Sequence, residues 1–297
     1  MVRQKVVRGK KPFAQFHTVK HEALLMDYLQ EIFQGKSRNS IKSWLVHRQV
    51  SVNGTCVTAH DFKLSAGDEI KISVVGEEKP NPNQKCRIVY EDNDIIVIDK
   101  REGVLSVATD VSTEMTAYSM MMEHVSKFKR DARVFIVHRL DRSTSGLMMF
   151  AKSEEVQEHL RSMWNSIVLE RAYVAVVEGC VEKDNGVIKS YLTEDPKTYR
   201  MYTSPTDNGG KLAVTHYKVL KRGEHFSLVQ LDLETGRKNQ IRVQMASIGH
   251  PIAGDKRYGA KTNPLQRVCL HARSLVFHHP TTGEVMNFQT DIPKAFL

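Results

Sequence analysis

A polar segment with two prolines divides the chain into two unequal parts. Residues 76–85 read GEEKPNPNQK, and neither a helix nor a strand continues through such a segment. The part before it holds about sixty ordered residues, which is near the lower limit for independent folding. We therefore expect a basic arm over residues 1–17, a small domain over 18–75, a linker over 76–85 and a large domain over 86–297.

The small domain shows two helical patterns and then a hairpin. HEALLMDYLQEIF predicts a helix, and GKSRNSIKSWLVHRQ predicts a short basic helix with Ser40 as its N-cap. VSVNGTCVT predicts two strands joined by a two-residue turn at Asn53 and Gly54, and GDEIKISV predicts another strand. The apolar positions at helical spacing are Leu25, Tyr28, Leu29 and Ile32, followed by Ile41, Trp44 and Leu45.

From Cys86 onward the pattern changes to many short strands with occasional helices. Two apolar runs flank residues 92–94, and GLMMFAK and RAYVAVVEG are further strand candidates. Between these lies SEEVQEHLRSMWN, a helix that Ser153 can cap. Two more strands surround residues 221–225, and IRVQMASIG predicts another helix. The class expected is α+β with much antiparallel sheet.

Composition limits the partners and excludes several chemistries. Lysine and arginine number 43 against 34 acids, and this net charge of +9 favours a polyanion such as nucleic acid. The four cysteines form no CxxC pair, so we expect reduced thiols in a cytoplasmic protein. The sequence has no apolar stretch of about 20 residues, which argues against a membrane span. It also lacks GxxxxGK[ST], GxGxxG and HExxH, which argues against nucleotide cofactors and zincin chemistry.

The segment HRLDRSTSGL, residues 138–147, places Asp141 among cations. Arg139 and Arg142 flank this carboxylate and favour its ionised form, which suits a nucleophile or a base better than an acid. The alternative is a structural loop acid held in salt bridges. The loop alone does not decide between these interpretations.

A second basic segment, residues 234–259, reads ETGRKNQIRVQMASIGHPIAGDKRYG. It combines a glycine-bounded turn with Arg237, Lys238 and Arg242. Taken alone, this pattern is also typical of a basic surface helix between loops.

Together these segments resemble the RluA family of pseudouridine synthases. Residues 138–152, HRLDRSTSGLMMFAK, match the family's H-R-L-D-x-x-T-S-G-L signature and the apolar strand after it. ERAYVAVVEG resembles the strand that carries the family's tyrosine, here Tyr173, and residues 235–259 and 270–284 resemble two further motifs in the same order. Asn239 and Gln244 stand where the family often has histidines, which leaves the substrate site less defined than the reaction.

The small domain resembles the RNA-binding domain first named for small ribosomal subunit protein four. SRNSIKSWLVHRQVSVNGTCVTAHDFKLSAGDEIKI follows that domain's basic helix, V-x-V-N-G hairpin and G-D-x-I strand. This resemblance implies a small α/β RNA-binding domain ahead of a catalytic domain whose central sheet is mixed and largely antiparallel.

The resemblance implies isomerisation of uridine to pseudouridine in RNA, without cofactor or metal. Asp141 would act at the ribose as nucleophile or base, Arg242 would pair with it, and Tyr173 would stack on the flipped uracil and serve as a base. Expected substrate contacts are Arg139, Leu270, Arg237, Lys238 and Gln240 in the large domain, and Lys42 and Arg48 in the small one.

The sequence leaves the RNA substrate, the type of function and the oligomeric state open. Large-subunit ribosomal RNA is the favoured substrate, and transfer RNA is the alternative. A non-catalytic RNA-binding or ribosome-assembly factor would keep the same scaffold, and a phosphodiester or glycosidic hydrolase would cut RNA or leave abasic sites. We expect a cytoplasmic monomer that binds RNA and neither a membrane nor a nucleotide cofactor.

Overall fold

The chain folds as two units, residues 1–84 and 85–297. The computed structural model describes residues 14–46, 49–73, 84–108, 114–127 and 130–297. The expected linker over 76–85 thus lies almost wholly outside the described residues, as does Arg48. Within the described part of the chain, no helix is long and apolar enough to cross a membrane.

The first unit packs two helices on a small sheet. In chain order, the elements are β1 (Ala14–Thr18), β2 (Ala23–Leu24), α1 (Leu25–Ile32), α2 (Arg38–Val46), β3 (Val50–Val52), β4 (Thr55–Cys56), β5 (Lys63–Leu64) and β6 (Glu69–Ser73). The four-stranded sheet has the order β1-β6-β3-β4, and β2 pairs with β5. Apolar residues of both helices, among them Leu25, Leu29, Ile41 and Leu45, are fully buried in one core.

The predicted hairpin is confirmed, and two local predictions are corrected. Asn53 and Gly54 both have positive φ, 50° and 77°, as a primed turn between β3 and β4 requires. The N-cap prediction was wrong, because α2 begins at Arg38 and the Ser37 hydroxyl accepts the amide of Ser40 at 3.2 Å. The arm expected over residues 1–17 is folded from Ala14 onward, since β1 pairs with β6.

The second unit is built on an eleven-stranded sheet. Its strands and helices are β7 (Cys86–Glu91), β8 (Ile95–Lys100), α3 (Ala117–Ser126), β9 (Phe135–Ile136), β10 (Ser145–Ala151), α4 (Glu154–Ser162), α5 (Trp164–Ile167), β11 (Val168–Glu178), β12 (Asn185–Glu194), β13 (Met201–Ser204), β14 (Lys211–Arg222), β15 (Phe226–Leu233), α6 (Gln240–Ser247), β16 (Leu270–His278) and β17 (Val285–Gln289). The strand order in the sheet is β13-β12-β14-β15-β11-β16-β10-β8-β7, and in addition β17 pairs with β16 and β9 pairs with β10. Single 3₁₀ turns occupy Lys256–Tyr258 and Lys294–Phe296.

Strands β8 and β10 each contain a continuous apolar run because both of their faces are covered. Ile96, Ile98, Met148 and Phe150 pack in one cluster with α3. The alternate residues of the same strands pack in a second cluster with Leu160 of α4. This burial on both faces explains the continuous apolar run GLMMFA, since a strand with one wet face would alternate apolar and polar residues.

Strand β10 also meets β16, and their contact is the one parallel pair among the described strands. Gly146 sits at this contact with φ +112°, and a Cβ there would lie 2.1 Å from the carbonyl oxygen of Ala272. The Ser145 hydroxyl lies 2.8 Å from His271 Nδ1 across the same pair. Close approach at Gly146 therefore sets the start of β10, directly after the HRLD segment.

We expect Gly146→Ala to lower the free energy of unfolding by about 2–4 kcal/mol, because the added methyl group meets backbone and the φ angle is strained. Gly209→Ala is the matched control: its φ is +80°, but nothing lies within 4 Å of the added Cβ. That control should cost about 1 kcal/mol. Urea unfolding followed by circular dichroism measures both, and equal losses would contradict the close-contact explanation.

Candidate active site

Asp141 projects from a loop that its neighbours hold in place. Leu140 is buried, and its backbone exchanges two hydrogen bonds with the Ser106 hydroxyl, at 2.7 and 3.1 Å. The Thr144 amide donates to the Asp141 carbonyl oxygen at 3.1 Å and closes the turn. The Asp141 side chain is 30% exposed, so its carboxylate faces a pocket open to solvent.

The Lys100 side chain stabilises the same loop through hydrogen bonds to backbone carbonyl oxygens. Its fully buried ammonium donates to the carbonyl oxygens of Thr144 at 2.6 Å, Val104 at 2.9 Å, Arg101 at 3.0 Å and Asp141 at 3.3 Å. Burial lowers the pKa of Lys100 to about 8, and the nearby Cys86 and Asp141 act in the opposite direction. The ammonium therefore replaces water as the partner of four carbonyls around the base of the loop.

Arg242, on α6, lies between two carboxylates. Its Nε and Nη2 donate to Asp255 at 2.7 and 2.8 Å, and its Nη1 donates to Asp141 Oδ2 at 3.2 Å and to Asn239 Oδ1 at 3.2 Å. Burial opposes the charge of Arg242, but hydrogen bonds and charges from Asp255 and Asp141 outweigh it and raise its pKa further. The guanidinium is thus a permanent cation that orients Asp141.

Tyr173, on β11, faces the same pocket. Burial raises the pKa of its phenol to about 12; Arg171 lowers it in part and Asp141 raises it. At neutral pH Tyr173 is therefore an uncharged phenol. Its ring offers an apolar face beside the catalytic candidate Asp141.

Seven of the ten residues expected in the site line one pocket. Asp141, Tyr173, Arg242, Arg139, Leu270, Arg237 and Gln240 all contribute to its wall. Leu140, Thr144, Leu233, Asn239 and Ile241 complete the lining. Residues separated by more than a hundred positions in the chain are therefore brought together as the motifs predict.

The remaining expected contacts are placed differently. Lys238 lies beside the pocket and pairs with Glu194. Lys42 lies on the exposed side of α2 in the first unit, and Arg48 is outside the described residues. Gln240 is 2% exposed, and its amide group bonds to residues of β14 and of the loop before α6. The Gln240 side chain thus braces the protein and has little left to offer a substrate.

Arg142 is not a partner of Asp141, although it is the next residue in the chain. Its guanidinium donates to the Gly103 carbonyl oxygen at 3.0 Å and pairs with Glu114 at 3.0 Å. The local arrangement of charges in HRLDR therefore misidentifies the partner, and the arginine of α6 takes that place.

The two residues that replace the family's histidines have separate roles. Gln244 is fully buried and bonds to Ser190, Thr215 and backbone oxygens of β12 and β14, so it joins α6 to the sheet. Asn239 lines the pocket in a left-handed conformation, φ 52°, which asparagine tolerates well. Its amide donates to the Tyr258 hydroxyl at 2.9 Å.

Sequence reasoning missed Asp255, Lys100 and Tyr258. Asp255 is 1% exposed and holds Arg242 with two hydrogen bonds, and Tyr258 stacks on the same guanidinium at 5.1 Å. Asp255 and Tyr258 stand in GDKRYG, within the segment that carries the third motif, so their position was an available signal. Lys100 is the last residue of β8, and its place at the end of an apolar strand was its one signal.

Another cluster has the composition of a metal site. Asp92, Asp94 and His279 place ligand atoms within 4.8 Å of one another. However, the Asp92 carboxylate accepts hydrogen bonds from the amides of Asp94 and Ile95, from Tyr90 and from His279. These bonds close the turn between β7 and β8, and so the cluster is explained as a structural one.

Comparison with known proteins connects this pocket to a family. The model described as RNA pseudouridylate synthase matches residues 94–247, and the S4 domain model matches residues 25–70. An uncharacterised RNA pseudouridine synthase of Bacillus subtilis is 37% identical, covering 87% of this chain and 86% of that protein. Ribosomal large subunit pseudouridine synthase D of Vibrio cholerae is 33% identical, over 89% and 86% of the two chains. The solved structure of human RNA pseudouridylate synthase domain containing 1 superposes with a TM-score of 0.57 and 25% identity, over 74% of this chain and 88% of that one.

We expect Asp255→Asn to lower kcat about ten- to hundredfold with little change in RNA affinity. The asparagine amide cannot accept both hydrogen bonds from Arg242, and small displacements of catalytic groups have effects of this size. Asp184→Asn is the matched control, because Asp184 also pairs with an arginine, Arg222, but is exposed. Single-turnover kinetics and RNA binding separate the two effects, and an unchanged kcat in Asp255→Asn would argue against the positioning role.

We expect Lys100→Met to lower kcat roughly tenfold and the free energy of unfolding by about 2–3 kcal/mol, because four carbonyls lose their donor. Lys152→Met is the control: Lys152 also donates to a backbone oxygen, that of Asp92, but lies at the other end of β10. It should change stability alone. If both variants keep the wild-type kcat well below their melting temperatures, the loop does not depend on Lys100 for catalysis.

Proposed function

The chain belongs to the RNA pseudouridylate synthase family, and from this premise we propose that it isomerises uridines of large-subunit ribosomal RNA through Asp141. Membership makes it an isomerase acting on RNA. The observation that carries the assignment of Asp141 is its ion pair with the buried Arg242, at the mouth of a pocket that Tyr173 and Leu270 line.

The pocket suits a base that has left the helix stack. Leu270 is buried and apolar, and Tyr173 offers an aromatic face, so a flipped uracil would exchange stacking in RNA for stacking in the protein. Arg139 and Arg237 are exposed at the rim, where they can contact phosphates next to the flipped nucleotide. Binding of the polyanion would offset part of the cost of flipping.

Asp141 then acts at the ribose of the bound uridine. Its carboxylate either attacks C1′ or removes a ribose proton, and in both routes the C1′–N1 bond breaks. The uracil turns and forms a C1′–C5 bond, and at this step the Asp141–C1′ bond breaks in the first route or Asp141 returns the proton to the ribose in the second. The proton at C5 then leaves and N1 becomes protonated. Arg242 orients the Asp141 side chain through its hydrogen bond to Oδ2, which this guanidinium can do throughout because its own charge does not change.

We propose that the main role of Tyr173 is to stack on the flipped uracil. With a pKa of about 12, the phenol keeps its proton at neutral pH and is not a ready base. To remove the C5 proton, Tyr173 would first have to lose its own. Stacking on uracil needs no such change.

Two features favour ribosomal RNA over transfer RNA. Relatives about 33% identical over most of both chains carry the name ribosomal large subunit pseudouridine synthase D. The first unit matches the S4 domain, and an additional RNA-binding unit suits a large folded RNA.

The described cysteines are free thiols, which agrees with the proposed location in a reducing cytoplasm.

Pseudouridine mapping across total RNA tests reaction, substrate and residue together. Cells that lack the gene should lose one or more pseudouridines in large-subunit ribosomal RNA, and wild-type protein should restore them. Asp141→Asn should restore none, because the amide is neither a nucleophile nor a base, while its affinity for RNA should stay within about threefold of wild type. Asp131→Asn, at an exposed acid of the same unit, should restore them fully. Loss of pseudouridines from transfer RNA would refute the proposal that ribosomal RNA is the substrate. Restoration by Asp141→Asn would refute the proposed role of Asp141.

A further inference from the structure

A short turn beside the pocket is held in one rigid conformation. It joins β12 to β13, and the Asp195 carboxylate accepts the amides of Lys197 and Thr198 at 2.7 and 3.0 Å. The backbones of Asp195 and Arg200 pair, and Arg257 donates to the Thr198 carbonyl oxygen at 2.9 Å. These hydrogen bonds together hold the turn in one conformation.

Tyr199, within this turn, has a strained backbone and an exposed ring. Its φ is +52°, a left-handed conformation that costs a bulky residue roughly 1–2 kcal/mol, and its side chain is 64% exposed. A large aromatic group held outward at such a cost gains nothing from burial, so the fold alone does not account for it. Strain of this kind is typical of positions that contact a ligand.

Aromatic rings and cations alternate from the catalytic carboxylate to this surface. Arg242, which pairs with Asp141, lies 5.1 Å from the ring of Tyr258, and Arg200 lies 5.5 Å from the same ring. Arg200 also lies 5.6 Å from the ring of Tyr202, which is 49% exposed. The alternation therefore ends at a half-exposed aromatic ring.

The two cations at this surface are held differently. Arg200 Nε is buried and has no hydrogen-bond partner among the described residues, so ring contacts orient its guanidinium. Lys238 lies 5.5 Å from the ring of Tyr199 and pairs with Glu194, and it is exposed at the surface. Since a surface ion pair is worth little, Lys238 can exchange Glu194 for a phosphate at small cost.

We propose that Tyr199 and Tyr202, with Arg200 and Lys238, form a stacking platform for unpaired nucleotides that flank the target uridine. This inference rests on the proposed function, because it assigns the platform to the same RNA. Single-stranded nucleic acid is recognised by exposed aromatic rings combined with cations that meet the phosphates, and this surface supplies both. Lys238 and Arg237, which lines the pocket, are adjacent in the chain, so a strand on the platform lies next to the flipped base.

Leucine and phenylalanine variants of the full chain separate stacking from packing. Tyr199→Leu and Tyr202→Leu keep an apolar side chain but lose the aromatic face, whereas the phenylalanine variants keep it. Each leucine variant should weaken binding of single-stranded octauridylate, measured by fluorescence anisotropy, roughly tenfold. Each should also raise KM for a transcript of large-subunit ribosomal RNA with kcat unchanged. The phenylalanine variants should stay within about twofold of wild type. Melting temperatures should change by no more than a few degrees, since the Tyr199 ring is exposed and the Tyr202 ring is half-exposed.

The outcomes distinguish this inference from the proposed function. Leucine variants that bind octauridylate and turn over the transcript as wild type does would overturn the platform. Equal losses in the leucine and phenylalanine variants would also overturn it, because the effect would then come from the hydroxyl groups. If wild-type protein forms no pseudouridine in ribosomal RNA or in any other RNA, the proposed function fails, and the octauridylate measurement still decides whether the platform binds single strands.

Discussion

The buried guanidinium of Arg242 is the interaction on which the site depends. Its side chain is 10% exposed, and a cation so far from water is stable only with charged partners. Asp255, 1% exposed, supplies two of the hydrogen bonds, and Asp141 supplies one. Because Asp255 carries most of the pairing, Asp141 is held by a single contact and keeps access to the pocket. Asp255 thus has the structural task, and Asp141 is left accessible for the chemical role proposed for it.

The loop of Asp141 is stabilised through its backbone, so the Asp141 side chain needs only its contact with Arg242. Lys100 donates to the carbonyl oxygens of Thr144, in the loop, and of Val104, in a neighbouring segment, and the Ser106 hydroxyl bonds to the backbone of Leu140. No sequence motif describes such bonds, since a carbonyl acceptor is independent of residue type. A loop fixed in this way can hold a carboxylate in position without pairing that carboxylate more strongly than catalysis allows.

Short-range features of the fold could be predicted from the sequence, and partners distant in the chain could be predicted only by resemblance. The Asn53-Gly54 turn and the helix capped by Ser153 follow from local chemistry and are confirmed. Local charge led to Arg142 as a neighbour of Asp141, but that arginine binds Glu114. Arg242 lies 101 residues from Asp141, and only the family motifs connected them. Asp255 was not identified because its place in GDKRYG does not show that it pairs with Arg242, 13 residues earlier.

The choice of RNA as substrate agrees with how the cations are distributed. Those in the interior, Arg242 and Lys100, are held by acids or carbonyls and support the loop of Asp141. Those at the rim, Arg139 and Arg237, are exposed where a ligand can approach from solvent. A net charge of +9 would attract any polyanion, so charge alone does not select RNA. Selection requires a site that takes a single base out of its strand, and this is the role proposed above for the pocket that Asp141, Tyr173 and Leu270 line.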